Sequence, residues 1–294
     1  MLTLRLPDQS EIQVQPGLTI AQLAAKQDDP LMLAGGILNG KVHDLNYRLN
    51  KSGAFEWIRR DSLIGQMMTE RTLSFLLITA VRLCFNGTDV LIEHSLAGGL
   101  YGTLIREKPV TSQELEQIKT KMQEMIDKRE PIYRRVVSKA EAVAHFEALG
   151  MHDKASLLRQ RTAAKCSVYT CAGVDDYFYG VMLPDASWIT QFTLQKVHQG
   201  FWLSTEKEFV DQPKLFEVYR QFEQRGRETG ISMISQLNEK IREGCLPQII
   251  ADNESRVARD LDRLADQITA CPELKIVLIA GPSSAGKTTF SRRS

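Results

Sequence analysis

The chain has 294 residues, of which 43% are hydrophobic and 25% are charged, and its formal net charge is +1. This length favours two or three domains, and the balanced charge excludes nucleic-acid binding through a global basic field. Five scattered cysteines without a C-x-x-C pair, no signal-peptide pattern and no bilayer-length apolar run predict a cytoplasmic protein with reduced thiols and no membrane contact.

Residues 1–61 predict a small β-rich unit. Apolar and polar residues alternate in two short stretches on either side of a turn, which is typical of a β-hairpin. A hairpin followed by a helix and further strands indicates a β-grasp (ubiquitin-like) unit. The predicted elements are a hairpin over 2–6 and 12–14, a helix that starts at Thr19 with Gln22 in a capping box, and strands over 36–40 and 55–58.

Residues 62–211 predict a mixed α+β region. Two helices begin with capping-box pairs, and apolar residues recur at helical spacing after each pair. The predicted elements are a buried helix over 71–83, a strand over 90–92, a turn-rich segment over 94–102, helices capped by Thr111 and Ser138, and strands over 168–171, 177–183 and 188–194.

Residues 212–272 predict helices, and residues 275–280 predict a strand. Leu261 belongs to an apolar stripe with spacings of four, three and four, which is typical of a core or an interface. Arginines on the other side of the same helix indicate a solvent-exposed face. The run Lys275–Ala280 is short and apolar, as in a strand that is buried on both faces of a parallel sheet.

The strongest motif is G-x-x-x-x-G-K-[ST] at residues 281–288. Its glycines let backbone N–H groups point at phosphate oxygens, Lys287 brings a charge to the outer phosphates, and the Thr288 hydroxyl is suited to ligate Mg²⁺. A helix that follows the loop would direct its positive end at the same phosphates. The alternative is a Gly/Ser-rich linker, but a linker would not follow an apolar strand. The predicted nucleotide-binding residues are Gly281, Ser283, Ser284, Ala285, Gly286, Lys287, Thr288 and Thr289, with Lys287 as the catalytic residue.

The motif lies close to the end of the sequence. No later strand supplies an acidic magnesium partner or a base for an acceptor. We therefore expect this chain to be the front part of a longer protein, and to be catalytically incompetent alone.

With these residues in view, the chain resembles a bacterial uridine kinase–family fusion protein. In that family a TGS domain and a domain like the threonyl-tRNA synthetase editing region precede a nucleoside-kinase P-loop domain. The resemblance rests on residues 6–10, 16–19 and 39–45, then on 92–102, 109–111 and 176–180, and most specifically on 276–290.

The resemblance implies an α+β multidomain fold and ATP-dependent phosphorylation of a nucleoside such as uridine. ATP and Mg²⁺ would be the cofactors, and ATP and a nucleoside would be the substrates. The implied parts are a TGS-like β-grasp domain over 1–61, an editing-like α+β domain over 62–211, a helical linker over 212–272, and the first strand and P-loop of an α/β NTPase domain over 273–294.

The editing region that the middle part resembles carries two histidines on one helix and a later cysteine and histidine. At these positions this chain has Thr72, Leu76, Tyr177 and Val181. Nothing there can position a water or bind the charge of an ester intermediate. We therefore predict a retained scaffold that has lost the editing reaction.

His94 and Tyr101 are a further candidate ligand site in the middle part. The histidine precedes a glycine-rich segment, where it would hydrogen-bond a small ligand or phosphate. The structural interpretation, a histidine that closes a junction between a strand and a turn, is the more common one. Cys166 and Cys171 are better explained as buried thiols than as metal ligands.

Short charged pairs provide the remaining candidates. Arg59-Arg60 and Arg134-Arg135 would contact RNA, but two-residue runs are usually solvated surface, so tRNA binding is not expected from them. Asp175-Asp176 fits either a magnesium site or a polar loop.

Two functions remain open. The first is the N-terminal part of a nucleoside kinase with regulatory or ligand-sensing modules. The alternative is a nucleotide- or tRNA-binding module related to threonyl-tRNA synthetase without editing activity.

Overall fold

The computed structural model describes residues 1–205 and 208–293. The chain divides into two compact units, Met1–Val218 and Tyr219–Ser294. No helix among the described residues has the length and apolar character needed to cross a membrane.

The first sheet is mixed and has the strand order β2-β1-β5-β3-β4. Strands β1 and β2 form the predicted antiparallel hairpin, whereas β1 and β5 are parallel. Thr19 and Gln22 cap helix α1 reciprocally, as predicted, and the apolar face of α1 is buried. The elements are β1 (Leu2–Arg5), β2 (Glu11–Val14), α1 (Ile20–Ala24), β3 (Leu33–Leu38), β4 (Lys41–Asp44) and β5 (Gly53–Arg59).

The sequence prediction missed β4 because residues 36–40 were read as one strand. Asn39 and Gly40 both have positive φ, at 50° and 75°. Asn-Gly with this backbone is the two-residue turn that joins hairpin strands, so β3 ends at Leu38 and the chain reverses into β4.

The second sheet is antiparallel in the order β11-β12-β7-β6. Its strands are β6 (Asp89–Leu96), β7 (Gly99–Ile105), β11 (Thr193–Val197) and β12 (Gly200–Ser204). The prediction of a turn-rich segment over 94–102 was wrong, because only Ala97 and Gly98 turn. Gly102 serves close packing instead: a Cβ there would lie 2.6 Å from the Leu91 carbonyl oxygen and 2.7 Å from the Phe201 ring.

The third sheet has the order β10-β9-β8. Its strands are β8 (Ile132–Ser138), β9 (Lys165–Cys171) and β10 (Val174–Tyr177). The strand predicted over 177–183 is wrong beyond Tyr177, and the one over 188–194 is correct only at its end. The apolar residues of 178–183 have another cause: they pack in the main core, where the Phe178 ring contacts the Phe75 ring.

Four helices complete the first unit. They are α2 (Leu63–Cys84), α3 (Ser112–Asp127), α4 (Lys139–Ala148) and α5 (His152–Gln160). Helix α2 starts earlier than predicted, because the Ser62 hydroxyl accepts a hydrogen bond from the Gly65 N–H. All residues from Thr72 to Val81 are buried, so α2 is the centre of the core. The predicted capping box of Thr111 and Glu114 is confirmed at the start of α3. At the start of α4 the Ser138 hydroxyl accepts from the Glu141 N–H, so Ser138 is confirmed as the N-cap.

The second unit contains helices, and the helical character predicted for residues 212–272 is confirmed. Its helices are α6 (Pro213–Thr229), α7 (Ile234–Arg242), α8 (Leu246–Thr269) and α9 (Lys287–Arg293). The first residues of α6 belong to the first unit. On α8, Leu261 is buried but Val257 and Leu264 are exposed, so only part of the predicted stripe is core.

The strand predicted over Lys275–Ala280 is wrong for this chain. The segment has no strand conformation, and Ile276 and Leu278 are 76% and 89% exposed. A strand buried in a parallel sheet needs neighbours on both sides, and no strand of the described chain pairs with this segment.

Candidate functional site

Helix α2 and the segment after β10 bring three of the four editing-like positions together. The Thr72 hydroxyl donates to the Met68 carbonyl oxygen at 2.8 Å and accepts from the Leu183 N–H at 3.0 Å. Leu76 and Val181 belong to the same buried cluster, and neither is more than 4% exposed. The polar group is therefore fully used and the apolar groups exclude water. This arrangement has no nucleophile, base or metal ligand to offer.

The fourth position, Tyr177, lies elsewhere and is engaged with Arg161. The Arg161 guanidinium donates to the Tyr177 hydroxyl and lies over the Tyr179 ring, 4.6 Å from its centroid. Burial, followed by a hydrogen bond with Tyr179, raises the pKa of Tyr177. The hydroxyl therefore stays protonated and is no substitute for a cysteine thiolate.

A buried ion network adjoins this region. Asp176 is 1% exposed, and its carboxylate lies 2.8 Å from Arg82 and 2.7 Å from Lys154. Arg82 also binds Asp89 at 2.8 Å. Burial raises the pKa of Asp89, but Lys154 and Arg82 outweigh that effect, so its pKa lies below the usual value. Asp176 is therefore a structural ion-pair residue in a network of four charged side chains.

Asp175 points to a different set of partners than Asp176. Its carboxylate lies 2.8 Å from Arg135 and 2.8 Å from His145, and it accepts from the Thr170 hydroxyl at 2.5 Å. Since neighbouring residues of a strand point to opposite faces, the two carboxylates do not converge. The pair is better explained by these ion pairs than by a magnesium site.

A cavity of about 730 Å³ opens between the first and third sheets. One wall is the segment that follows β4, and the other is strand β8, with Tyr169 and the segment Met182–Pro184 also at its surface. Its polar lining residues, besides Tyr169, are Asp44, Asn46, Tyr47, Arg48, Tyr133, Arg134 and Arg135. Of these residues, only Arg134 and Arg135 are site candidates from the sequence, because residues from distant parts of the chain complete the cavity.

The two predicted arginine pairs have different surroundings. Arg59 binds Asp61 at 3.1 Å, and Arg60 donates to the Trp188 carbonyl oxygen and lies over the Trp188 ring. Arg134 and Arg135 line the cavity. Arg134 lies 3.5 Å from the Asp44 carboxylate, and Arg135 is bound to Asp175.

His94 and Tyr101 face each other across strands β6 and β7. Their ring centroids are 5.1 Å apart, and the register pairs the two residues directly. Tyr101 is 2% exposed, and burial raises its pKa to about 12. Burial also lowers the pKa of His94. The predicted junction between a strand and a turn is wrong, because both residues lie within strands of a hairpin.

Cys166 and Cys171 are buried in the same strand, β9, and are five residues apart. An odd separation places them on opposite faces of the sheet. Cys166 packs in the small cluster with Phe146, and Cys171 packs in the main core. One metal ion cannot reach both thiols.

The P-loop sequence forms an exposed turn that leads into α9. Ser284 and Gly286 have positive φ, at 63° and 75°, and α9 begins at Lys287. The Lys287 ammonium donates to the carbonyl oxygens of Gly281 at 2.7 Å and Pro282 at 2.6 Å. The loop thus folds around its own lysine. Thr289 was a predicted nucleotide contact, and its side chain lies outside the described part of the structure. The contacts of the other predicted residues with a nucleotide remain predictions.

Comparison with known proteins relates the chain to aminoacyl-tRNA ligases. No protein-family model matches it. Threonine–tRNA ligase from Polaromonas sp. (strain JS666 / ATCC BAA-500) is 31% identical over 205 residues, which are 69% of this chain and 32% of the ligase. The ligase from Pelobacter propionicus is 31% identical over 208 residues, which are 70% and 33% of the two chains. The ligase from Paraburkholderia xenovorans (strain LB400) is 30% identical over 210 residues, again 70% and 33%.

The chain spans about a third of the length of the relatives it matches. It is a distant homologue of the N-terminal, TGS- and editing-like region of threonine–tRNA ligases. The α+β fold with several sheets is consistent with this relationship. The comparisons give no support to the predicted kinase activity.

Proposed function

We propose that this chain is a nucleotide- or tRNA-binding module, related to the editing region of threonine–tRNA ligases, that does not hydrolyse aminoacyl esters. The observation that carries this proposal is the packing of Thr72, Leu76 and Val181. Ester hydrolysis needs a positioned water and a donor for the developing oxyanion. Here the Thr72 hydroxyl is bonded within the fold, and Leu76 and Val181 are buried apolar side chains of the main core.

Binding is the function that such a scaffold can keep. The first unit has a cavity that is lined by Arg48, Arg134, Tyr47 and Tyr133, and guanidinium groups and tyrosine rings are suited to phosphate and bases. The cationic character is local, since the formal net charge of the chain is +1.

The test combines a hydrolysis assay and a binding assay on the full chain. With a mischarged threonine-specific tRNA, we expect the rate of amino-acid release to equal that in buffer. With uncharged tRNA, fluorescence anisotropy should show binding that weakens as salt increases, because phosphate contacts release counterions. Release above the buffer rate would contradict the loss of hydrolysis. Absence of both tRNA and nucleotide binding would refute the module.

A second function, binding of a nucleoside triphosphate for phosphoryl transfer, is favoured by the P-loop alone. Motif and local backbone agree, since the loop has positive φ at Gly286 and a helix starts at Lys287. In a phosphate complex the Lys287 ammonium would leave the Gly281 and Pro282 carbonyl oxygens for the outer phosphates.

The exposed segment Lys275–Ala280 would need a sheet to support such a complex. The experiment therefore uses the longest reading frame that contains this chain. We expect it to bind MgATP and to transfer phosphate to a nucleoside, and Lys287→Ala to abolish transfer. Transfer retained by that variant would contradict the role of Lys287. A reading frame without a further α/β region would remove the kinase hypothesis.

A further inference from the structure

The second unit, Tyr219–Ser294, has almost no hydrophobic core of its own. Among its described side chains, Leu261 on α8 is the one large apolar residue that is buried. None of the described residues of 219–293 belongs to the buried clusters that hold the first unit together. A unit of this size needs a core to stay folded, because ordering its chain costs conformational entropy. Its helices therefore need a further apolar surface to pack against.

Two helices of this unit carry exposed apolar stripes. On α8 the stripe consists of Ile250, Val257 and Leu264, and on α7 it consists of Ile234 and Ile241. The exposed fractions of these five residues lie between 42% and 67%. Residues seven positions apart lie on nearly the same side of a helix, since seven residues make almost two turns. Each stripe is therefore a continuous apolar face and not a scatter of single exposed residues.

The spacing and the charges of these helices indicate other helices as the partner surface. A seven-residue apolar repeat is the pattern by which α-helices pack on one another at a shallow angle. The remaining side chains of α8 include five carboxylates and three arginines. Amphipathic helices that bind membranes, and surfaces that bind nucleic acids, carry an excess of positive charge instead. The α8 stripe therefore suits a protein partner.

The exposed apolar area is close to that of a dimer interface. Together with Phe222 on α6, which is 73% exposed, the two stripes expose roughly 400 Å² of apolar side-chain surface. An interface of standard size buries about 800 Å² on each partner, and a little more than half of that area is apolar. A symmetric dimer needs a surface that is complementary to itself, and an apolar stripe meets this condition. A second copy of this chain therefore fits the stripes.

We propose that two copies of this chain form a dimer through the apolar stripes of α7 and α8. Val257 lies in the middle of the α8 stripe and is the central contact. In the dimer the stripes of both copies become a shared core, so the second unit gains the buried apolar surface that a single copy lacks. The dimer uses no residue of the cavity in the first unit, and it is independent of the binding function proposed above.

Sedimentation equilibrium of the full chain at increasing concentration tests this proposal. We expect the measured mass to rise from that of one chain, 33.2 kDa, to that of two chains. Val257→Asp and Leu264→Asp place a charge in the stripe, and each should weaken dimer formation roughly tenfold or more, because the carboxylate would lose its water in the interface. Both positions are exposed in a single copy, so the first unit should stay folded, and thermal unfolding checks this point.

Two control variants introduce the same charge outside the stripes. Ser255→Asp changes an exposed residue on the opposite side of α8, so it matches Val257→Asp in helix and in charge. Leu278→Asp changes an exposed apolar residue of the same unit that lies outside its helices. Both variants should dimerise like the parent protein. Dissociation by Ser255→Asp as strong as that by Val257→Asp would overturn the assignment of the interface.

Hydrogen exchange provides a second measurement that needs no variant. As the protein concentration rises, the backbone amides of α7 and α8 should exchange more slowly, whereas those of α2 in the first unit should not change. A full chain that is monomeric at every concentration would refute the dimer and leave the stripes to another protein. A dimer in which the amides of α7 and α8 exchange at the monomer rate would also refute the proposal, since the copies would then join through another surface.

Discussion

Leu76 illustrates how a single residue fixes what this region can do. It is fully buried on α2, next to the turn that carries Thr72, and the resemblance to editing domains places a histidine at this position. A leucine contributes apolar contacts where an imidazole would need a polar partner. Leucine in place of histidine at position 76 therefore removes a catalytic side chain and adds core packing at the same time.

Leu76→His should destabilise the protein by about 2–4 kcal/mol, because it places a polar ring among apolar side chains and disturbs close packing. Urea unfolding followed by circular dichroism measures the change. Leu83→His is the matched control on the same helix: Leu83 is 46% exposed, so its replacement should cost less than about 0.5 kcal/mol. Equal effects in the two variants would show that Leu76 is not in the core.

Glu114 gives the fold a dependence on pH. Its carboxylate binds Arg106 at 2.7 Å and accepts from the Thr111 N–H at 2.8 Å. These hydrogen bonds, that of Arg106 first, lower the pKa of Glu114 to about 2. Because the folded pKa lies below the unfolded one, the stabilisation is complete above about pH 4.5 and is lost as pH falls towards 2.

Glu114→Gln should therefore lower the free energy of unfolding at pH 7 by about 1 kcal/mol and flatten its dependence on pH between about 4.5 and 2. Urea unfolding at several pH values provides the test. Glu116→Gln, an exposed change on the same helix, is the control and should leave the curve as it is. A variant whose curve has the parent slope would show that Glu114 does not carry this effect.

Sheets and helices were predictable to different degrees from the sequence. The capping residues Thr19, Thr111 and Ser138 identified helix starts correctly, because a cap is a local interaction within four consecutive residues. Strands were less predictable. Strand β8 was missed because it carries Arg134 and Arg135 at a sheet edge, where burial leaves no alternating pattern.

The candidate sites follow the same division. The P-loop and the closed editing positions are recognisable from motifs within single segments. The cavity was not predictable as a whole, because Arg48 and Arg134 are far apart in the sequence and are brought together by packing of two sheets. Asp44 was not predictable as a site residue, since its role depends on a contact across that gap.

The segment before the P-loop provides a test at the level of an element. Leu278 is 89% exposed, so Leu278→Asp should change the free energy of unfolding of this chain by less than about 0.5 kcal/mol. Leu104→Asp, at a position in β7 that is 6% exposed, should cost more than about 3 kcal/mol. Thermal unfolding distinguishes the two. A large effect at Leu278 would show that the segment packs as a strand after all.

The division of the molecule into two units predicts that the first one folds alone. A truncated chain of residues 1–218 retains Phe216, whose ring stacks on His198 at 3.7 Å and contacts Tyr101. It also retains every residue of the cavity. We expect one cooperative unfolding transition and the same RNA affinity as the full chain. A truncated chain without a transition would contradict the independence of this unit.

The buried network around Asp176 has a consequence for the order of events in folding. Asp176 and Arg82 are 94 positions apart, so their contact forms only after a long loop has closed. We expect the network to be absent from the folding transition state. Asp176→Asn should then accelerate unfolding by about tenfold or more and leave the refolding rate almost unchanged. Stopped-flow measurements of the folding and unfolding rates would detect this difference. The four charged side chains of the network would then determine how long the folded state persists before it unfolds.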